Sequence, residues 1–279
     1  MLKPAERILG LYSVVVICVS VSRVLARPET AWVAVAHLLV LVLVFALPRA
    51  GDTFLRAVAP VVVLLSLYGA LDVLNGFGGL STHDRAVRQW ETSTFGLEIG
   101  RVWWQRSPSR VWSSVLHAAY FSYYFIIPAP IALFLVRRNR LALDRATTAV
   151  MAAFACCYLA FIFFPVAGPY YEYPRPAAWF TANGPARAVY WVLSGGSSYG
   201  AAFPSSHVAA TWAATVTTAV ASSGWGLILG GLSVLLTVGV VYCQMHYGVD
   251  ALAGLGVAGL AIVLAMLLHP REGRTARGS

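Results

Sequence analysis

Two short segments carry residue types suited to phosphoryl transfer. The first is Phe203-Pro204-Ser205-Ser206-His207-Val208-Ala209, directly ahead of an apolar run. Proline followed by serine opens a helix, with Ser205 or Ser206 available as the cap. The free N–H groups of a first turn and the helix dipole favour an anion, so a phosphate held there lies within reach of His207. The second segment is Tyr242-Cys243-Gln244-Met245-His246-Tyr247-Gly248-Val249-Asp250. His246 and Asp250 are four residues apart and share a face on a helix. Asp250 then holds one imidazole nitrogen and leaves the other free to attack phosphorus, the arrangement of an activated nucleophile. A single histidine near a helix start more often serves the fold than a reaction. Ionisable groups at a membrane boundary are costly without a task, which shifts that balance.

The elements that must position these groups are membrane helices. Of the 279 residues, 59% are hydrophobic and 11% charged, against about 25% charged in a soluble domain. Mean hydropathy is +0.71. The surplus apolar residues must face lipid. Runs approaching the ~20 residues of a spanning helix fall at 7–25, 31–47, 54–74, 111–136, 147–166, 206–221, 226–243 and 249–268. The expected fold is all-α, a polytopic bundle of about eight transmembrane helices. In that order the sixth span leaves one face and the seventh returns to it, so His207 and His246 converge.

Orientation follows from Lys and Arg in the short loops. Lys3 and Arg7, Arg49 and Arg56, the group Arg137, Arg138, Arg140 and Arg145, and the tail Arg271, Arg274 and Arg277 all mark one side as cytoplasmic; Arg23 and Arg27 oppose them. Both termini are then cytoplasmic and the two histidine segments extracytoplasmic. The chain divides into N-terminal helices (1–75), a Trp-rich interfacial segment of one or two amphipathic helices (76–110), a catalytic bundle (111–268) and a basic tail (269–279). The stretch 167–204, dense in Gly, Pro and Tyr, reads as an irregular cap. The first apolar run continues into further spans, so a cleaved leader is not expected.

The net charge of +9 matches topology signals and anionic head groups. It does not point to nucleic acid, because no basic stripe alternates with exposed aromatics. Cys18, Cys156, Cys157 and Cys243 have no disulfide or zinc spacing and read as small apolar residues. A transporter would place its ionisable groups at mid-membrane on paired broken helices. Here they gather at one face, which favours an enzyme over a transporter or a structural membrane protein. His37 is expected to hydrogen-bond within the bundle and His269 to be solvated.

The Pro-Ser-x-His segment and the later His-x-x-x-Asp segment together resemble the type 2 phosphatidic acid phosphatase superfamily. The resemblance is greatest to its inositol phosphorylceramide synthase branch, where an aromatic follows the second histidine as Tyr247 does. The stretch 116–124 (Leu-His-Ala-Ala-Tyr-Phe-Ser-Tyr-Tyr), with Pro128 beyond it, is similar to that branch too. The resemblance implies that His246 forms a phosphohistidine, Asp250 orients it, His207 protonates the leaving group, and Ser205 and Ser206 contact the phosphoryl oxygens. It implies no cofactor and no metal, and a phospholipid or polyprenyl-phosphate substrate. Phosphatases of this family carry a Lys well before an Arg-Pro pair and an Arg shortly before the second histidine. Here Arg175 and Pro176 form the pair, but those cation positions hold Gly168 and Val240. Arg175 and Arg187 are the candidate replacements. His117, Tyr120 and Tyr124, at i, i+3 and i+7, are candidates to line a substrate cavity or to pack as interface anchors. Asp72 is a candidate head-group contact or a boundary residue.

Overall fold

The computed structural model describes residues 1–270. Arg271, Arg274 and Arg277 lie outside them. Among the described residues the chain is helical and contains no strand. The N-terminal helices are α1 (Pro4–Arg23), α2 (Thr30–Ala46), α3 (Phe54–Ser66) and α4 (Ala70–Leu74). The interfacial segment forms α5 (Asp84–Phe95) and α6 (Ile99–Arg106). Then follow α7 (Arg110–Phe121), α8 (Tyr123–Ile126), α9 (Pro128–Val136) and α10 (Arg140–Phe163). A capping region of α11 (Pro169–Glu172), α12 (Ala178–Thr181) and α13 (Gly184–Gly196) precedes α14 (Ser206–Ala221), α15 (Ser223–Tyr242) and α16 (Gly248–Leu268).

Among the described residues five helices are long and apolar enough to cross a membrane, and the pair α7–α8 plus α9, bent by 44°, makes a sixth if taken as one span. The bend falls where Pro128 restarts the helix without an N–H to donate. Two expected spans differ. Residues 54–74 break at 67–69 into α3 and α4, and α3 has 13 residues. α14 has 16. Both are shorter than the ~20 residues that span the hydrocarbon unaided. The chain is an integral membrane helical bundle.

α10 forms the centre and is buried on nearly all sides along Ala149, Val150, Ala153, Phe154, Cys157 and Phe161. It begins seven residues before the expected span, because the Asn139 side chain accepts from Ala142 N–H at 3.1 Å. α14 packs on it through Ala209, Ala210, Ala213 and Ala214. Between lipid-embedded helices, close approach of small residues supplies the packing that the hydrophobic effect cannot. At Gly254 of α16 a Cβ would stand 2.6 Å from the Ser205 carbonyl oxygen, so only glycine lets α16 approach the α14 start.

Ion pairs close the end of the bundle remote from the histidines. Arg56 meets Glu6 at 2.6 Å, Lys3 meets Asp144 at 3.2 Å, and Arg140 pairs with Asp52. Arg145 is buried inside α10 and donates to the His269 carbonyl at 2.8 and 2.6 Å. His269, expected in solvent, is half-buried and lies 3.0 Å from Thr148 Oγ1. His37 Nδ1 lies 3.1 Å from Ser13 Oγ. Arg23 and Arg27, the two dissenting basic residues, both donate to the Leu74 carbonyl. That task in the fold is independent of topology.

The expected irregular cap contains a 13-residue helix, α13. Asn183 caps it by accepting from Ala186 N–H at 2.9 Å, and a proline occupies its first turn. Its glycines and prolines therefore sit at the helix ends, where they are tolerated. Ala186 and Val189 form its buried side, and α13 packs on α7.

Candidate active site

Ser205 caps α14, its Oγ accepting from Val208 N–H at 3.4 Å. Its own N–H donates to the Asp250 carbonyl at 3.0 Å, joining the starts of α14 and α16. Ser206 and His207 occupy the first turn of α14. His207 Nδ1 lies 3.4 Å from His246 Nε2, and His207 Nε2 lies 3.1 Å from the Tyr120 hydroxyl. The Tyr123 ring lies 4.5 Å from that of His207. His246 Nδ1 faces two acceptors, the Ala202 carbonyl at 3.0 Å and Asp250 Oδ2 at 3.3 Å. Two acceptors assign the proton to Nδ1, which leaves the Nε2 lone pair facing His207. Asp250 Oδ2 also accepts from Tyr247 N–H at 2.8 Å, and the Oδ1 atom is buried without a partner.

The turn before α16 is held by its main chain. Met245 and His246 N–H both donate to the Val240 carbonyl, at 3.0 and 2.8 Å. Gln244, at φ +60°, accepts from Trp104 Nε1 and donates to the Pro174 carbonyl. Two buried carboxylates of α5 complete the support, and the sequence reading did not single them out. Glu91 accepts from Gly100 N–H at 2.9 Å, Gly248 N–H at 3.1 Å and Val249 N–H at 3.0 Å. Asp84 accepts from Ala167 and Gly168 N–H, each at 2.8 Å, and from the Tyr247 hydroxyl at 3.0 Å. Their signal was positional: Asp84, Val87 and Glu91 fall at i, i+3 and i+7, so both acids share a face with a valine that is fully buried.

A cavity of about 540 Å³ runs from this site into the bundle. Ser206, His207, His246, Tyr120 and Tyr124 line it, and among the described residues no Lys, Arg, Asp or Glu does. Seven tyrosines contribute to the lining, enough to make hydroxyls the main polar groups besides the histidines. The structure does not bring Arg175 into this cavity. Its guanidinium stacks 4.2 Å from the Tyr170 ring centroid and donates to the Tyr170 hydroxyl at 2.9 Å. With Arg187 it lines a separate recess of about 380 Å³. Gly168 adopts φ +87°, and a Cβ there would come within 2.7 Å of the Ala202 Cβ, which leaves no room for a lysine. Val240 is fully buried.

His117 does not line the cavity. It is buried, with Nδ1 2.7 Å from the Ser113 carbonyl and Nε2 without a partner. Asp72 accepts from Ser198 Oγ at 2.9 Å and from Tyr199 N–H at 3.0 Å, fixing the loop that borders the cavity. Among the described residues no three His, Cys, Asp or Glu side chains gather as a metal site would need.

A bundle of this kind, with its ionisable groups at one end of a membrane-embedded cavity, has the form of a membrane enzyme. Residues 86–264, well over half the chain, match the PAP2 superfamily, and the chain belongs to that superfamily. It is therefore an enzyme of the phosphatase and phosphotransferase class that acts on lipid phosphoesters. No curated protein and no solved structure matches it.

Proposed function

We propose that the protein is a lipid phosphotransferase of the inositol phosphorylceramide synthase type, working through a phosphohistidine. His246 Nε2 attacks phosphorus, forming the N–P bond as the P–O bond to the leaving lipid alcohol breaks. His207 supplies the proton for that oxygen; its Nδ1 lies 3.4 Å from His246 Nε2, beside the attack site. Tyr120 holds the far nitrogen of His207, and Asp250 with the Ala202 carbonyl fixes the His246 tautomer. In the second half the acceptor alcohol gives its proton to His207 as its oxygen bonds phosphorus and the N–P bond breaks. Ser205, Ser206 and the α14 N–H groups bear on the phosphoryl oxygens.

The observation that carries the transferase reading is that, among the described residues, no Lys or Arg lines the cavity. A phosphate monoester carries about two negative charges near neutral pH, whereas a diester carries one. Each charge taken from water needs a cation or several donors. Hydroxyls, helix-start N–H groups and two histidines suit the single charge. We expect catalytic efficiency on phosphatidylinositol to exceed that on phosphatidic acid in the same detergent, with the head group passed to an added lipid alcohol. A tenfold or greater preference for phosphatidic acid, releasing only inorganic phosphate, would establish the second reading, a monoester phosphatase. That reading draws on Arg175 and Arg187 in the adjoining recess.

For orientation, the proposal keeps the histidine end extracytoplasmic, both termini cytoplasmic, and the divisions at 75, 110 and 268. The gathering of Lys3, Arg56, Arg140 and Arg145 at the opposite end supports it. A tag inserted at 174–183 is expected to react with an impermeant reagent on intact cells, while a reporter after Ser279 stays protected. The reverse pattern would overturn this topology.

A further inference from the structure

The cavity continues well past the site, and its far part has a different character. Below Tyr120 and Tyr123 it is walled by Val58, Val62 and Leu65 of α3 and by Ile127 and Ile131 on the facing side. The α3 residues recur at i, i+4 and i+7, one continuous stripe along the helix. From Tyr120 to Ile131 is eleven residues, a path of about 16 Å at helical rise. Both α3 and α9 pack on α10. At the remote end Ala57 and Phe54 of α3 and Phe134 and Ile131 of α9 join Ala142, Leu143 and Ala146 of α10 in one cluster. That cluster is a floor. The cleft is open at its side, where Val62 is 54% and Tyr124 46% exposed on the outside of the bundle.

We propose that the hydrocarbon tail of the lipid substrate lies in the cleft between α3 and α9, so that α3 decides which tails are accepted. α3 lies outside the matched segment 86–264, so tail preference is carried by a part of the chain that the superfamily match does not include. The occupant follows from three features together. The cleft is continuous with His207 and His246, its far walls are aliphatic, and its mouth opens sideways beside the exposed Val62 of a membrane-embedded bundle. This rests on the lipid phosphoester chemistry proposed above. A tail already dissolved in hydrocarbon gains little by burial, since lipid is as apolar as the cleft. What the cleft contributes is position: a tail stopped by the floor places the phosphorus at a fixed height beside His246 Nε2, and small errors in that placement are expensive in rate.

Val58→Trp and Val62→Trp narrow the cleft without touching the histidines. With dioleoyl-phosphatidylinositol and dioleoyl-phosphatidic acid, kcat/KM should fall about tenfold or more through lost positioning. The dihexanoyl forms of the same lipids should stay within about twofold, as for a substitution they do not meet. Equal effects on long and short chains, or none on either, would overturn the tail site. Independently of folding in the variants, wild-type protein is labelled with phosphatidylinositol bearing a diazirine at the end of one acyl chain. Cross-links are expected in peptides covering 54–66 and 128–136, and labelling confined to other helices would sink the proposal. Wild type that cross-links at α3 but turns over no lipid would retain the tail site and remove the catalytic reading.

Discussion

His246→Ala is expected to lower turnover by about 10³-fold or more, several kcal/mol of barrier, while membrane levels stay near those of wild type. The buried ring spans from the Ala202 carbonyl and Asp250 to His207. Removing it takes away the Nε2 lone pair that is the proposed nucleophile. His207→Ala removes the proposed proton donor and should fall in the same range. Asp250→Asn keeps the shape and leaves the Ala202 carbonyl to hold Nδ1–H, so its loss should be the smallest of the three. The measurement is initial rate on purified protein, with size-exclusion profile and thermal melting as the check on folding. Near-full activity in His246→Ala would remove the histidine nucleophile from the mechanism.

Glu91→Ala should destabilise the fold more than any other substitution in the interfacial segment. The carboxylate is fully buried and accepts from three backbone N–H groups that have no other partner among its contacts. Each orphaned buried donor costs about 1–3 kcal/mol, and three together reach several kcal/mol. Glu91→Gln does not rescue it. One amide oxygen cannot serve both the pair at Oε1 and the single donor at Oε2, and the amide nitrogen would face an N–H. Arg88→Ala, one turn away on a partly exposed pair with Glu98, should change stability little. The readout is the melting midpoint in detergent, and a Glu91→Ala midpoint within about 2 °C of wild type would refute the role.

Most of the candidate site was legible because its residues sit in short spacings. His246 and Asp250 are four apart on one helical turn, and Pro204 with Ser205 announces the start of α14. Their meeting was readable from hairpin order alone. Asp84 and Glu91 were not, because they lie in a polar segment of mixed charge where acids are normally solvated, and only packing against α16 turns their face inward. α13 was hidden by glycines and prolines that end helices as often as they interrupt loops. The break at 67–69 and the bend at Pro128 sit inside apolar runs that hydropathy reads as continuous. Arg175 looked like a phosphate ligand by its place before Pro176. Instead its guanidinium rests on the Tyr170 and Tyr190 rings, a contact that no local pattern announces.

The grip of α5 on the site is almost wholly a grip on main chain. Apart from the Tyr247 hydroxyl, the groups that Asp84 and Glu91 hold are the peptide N–H groups of Ala167, Gly168, Gly100, Gly248 and Val249. A peptide N–H is the same whichever side chain it carries, proline aside. Ala167 and Val249 can therefore be exchanged, within the space around them, without loosening the frame that sets the spacing of His207 and His246. Ala167 borders the cavity, so its replacement reshapes the wall while the distance between His207 and His246 stays put. A designer seeking a different lipid preference has a scaffold whose rigidity and whose selectivity are written in separate atoms.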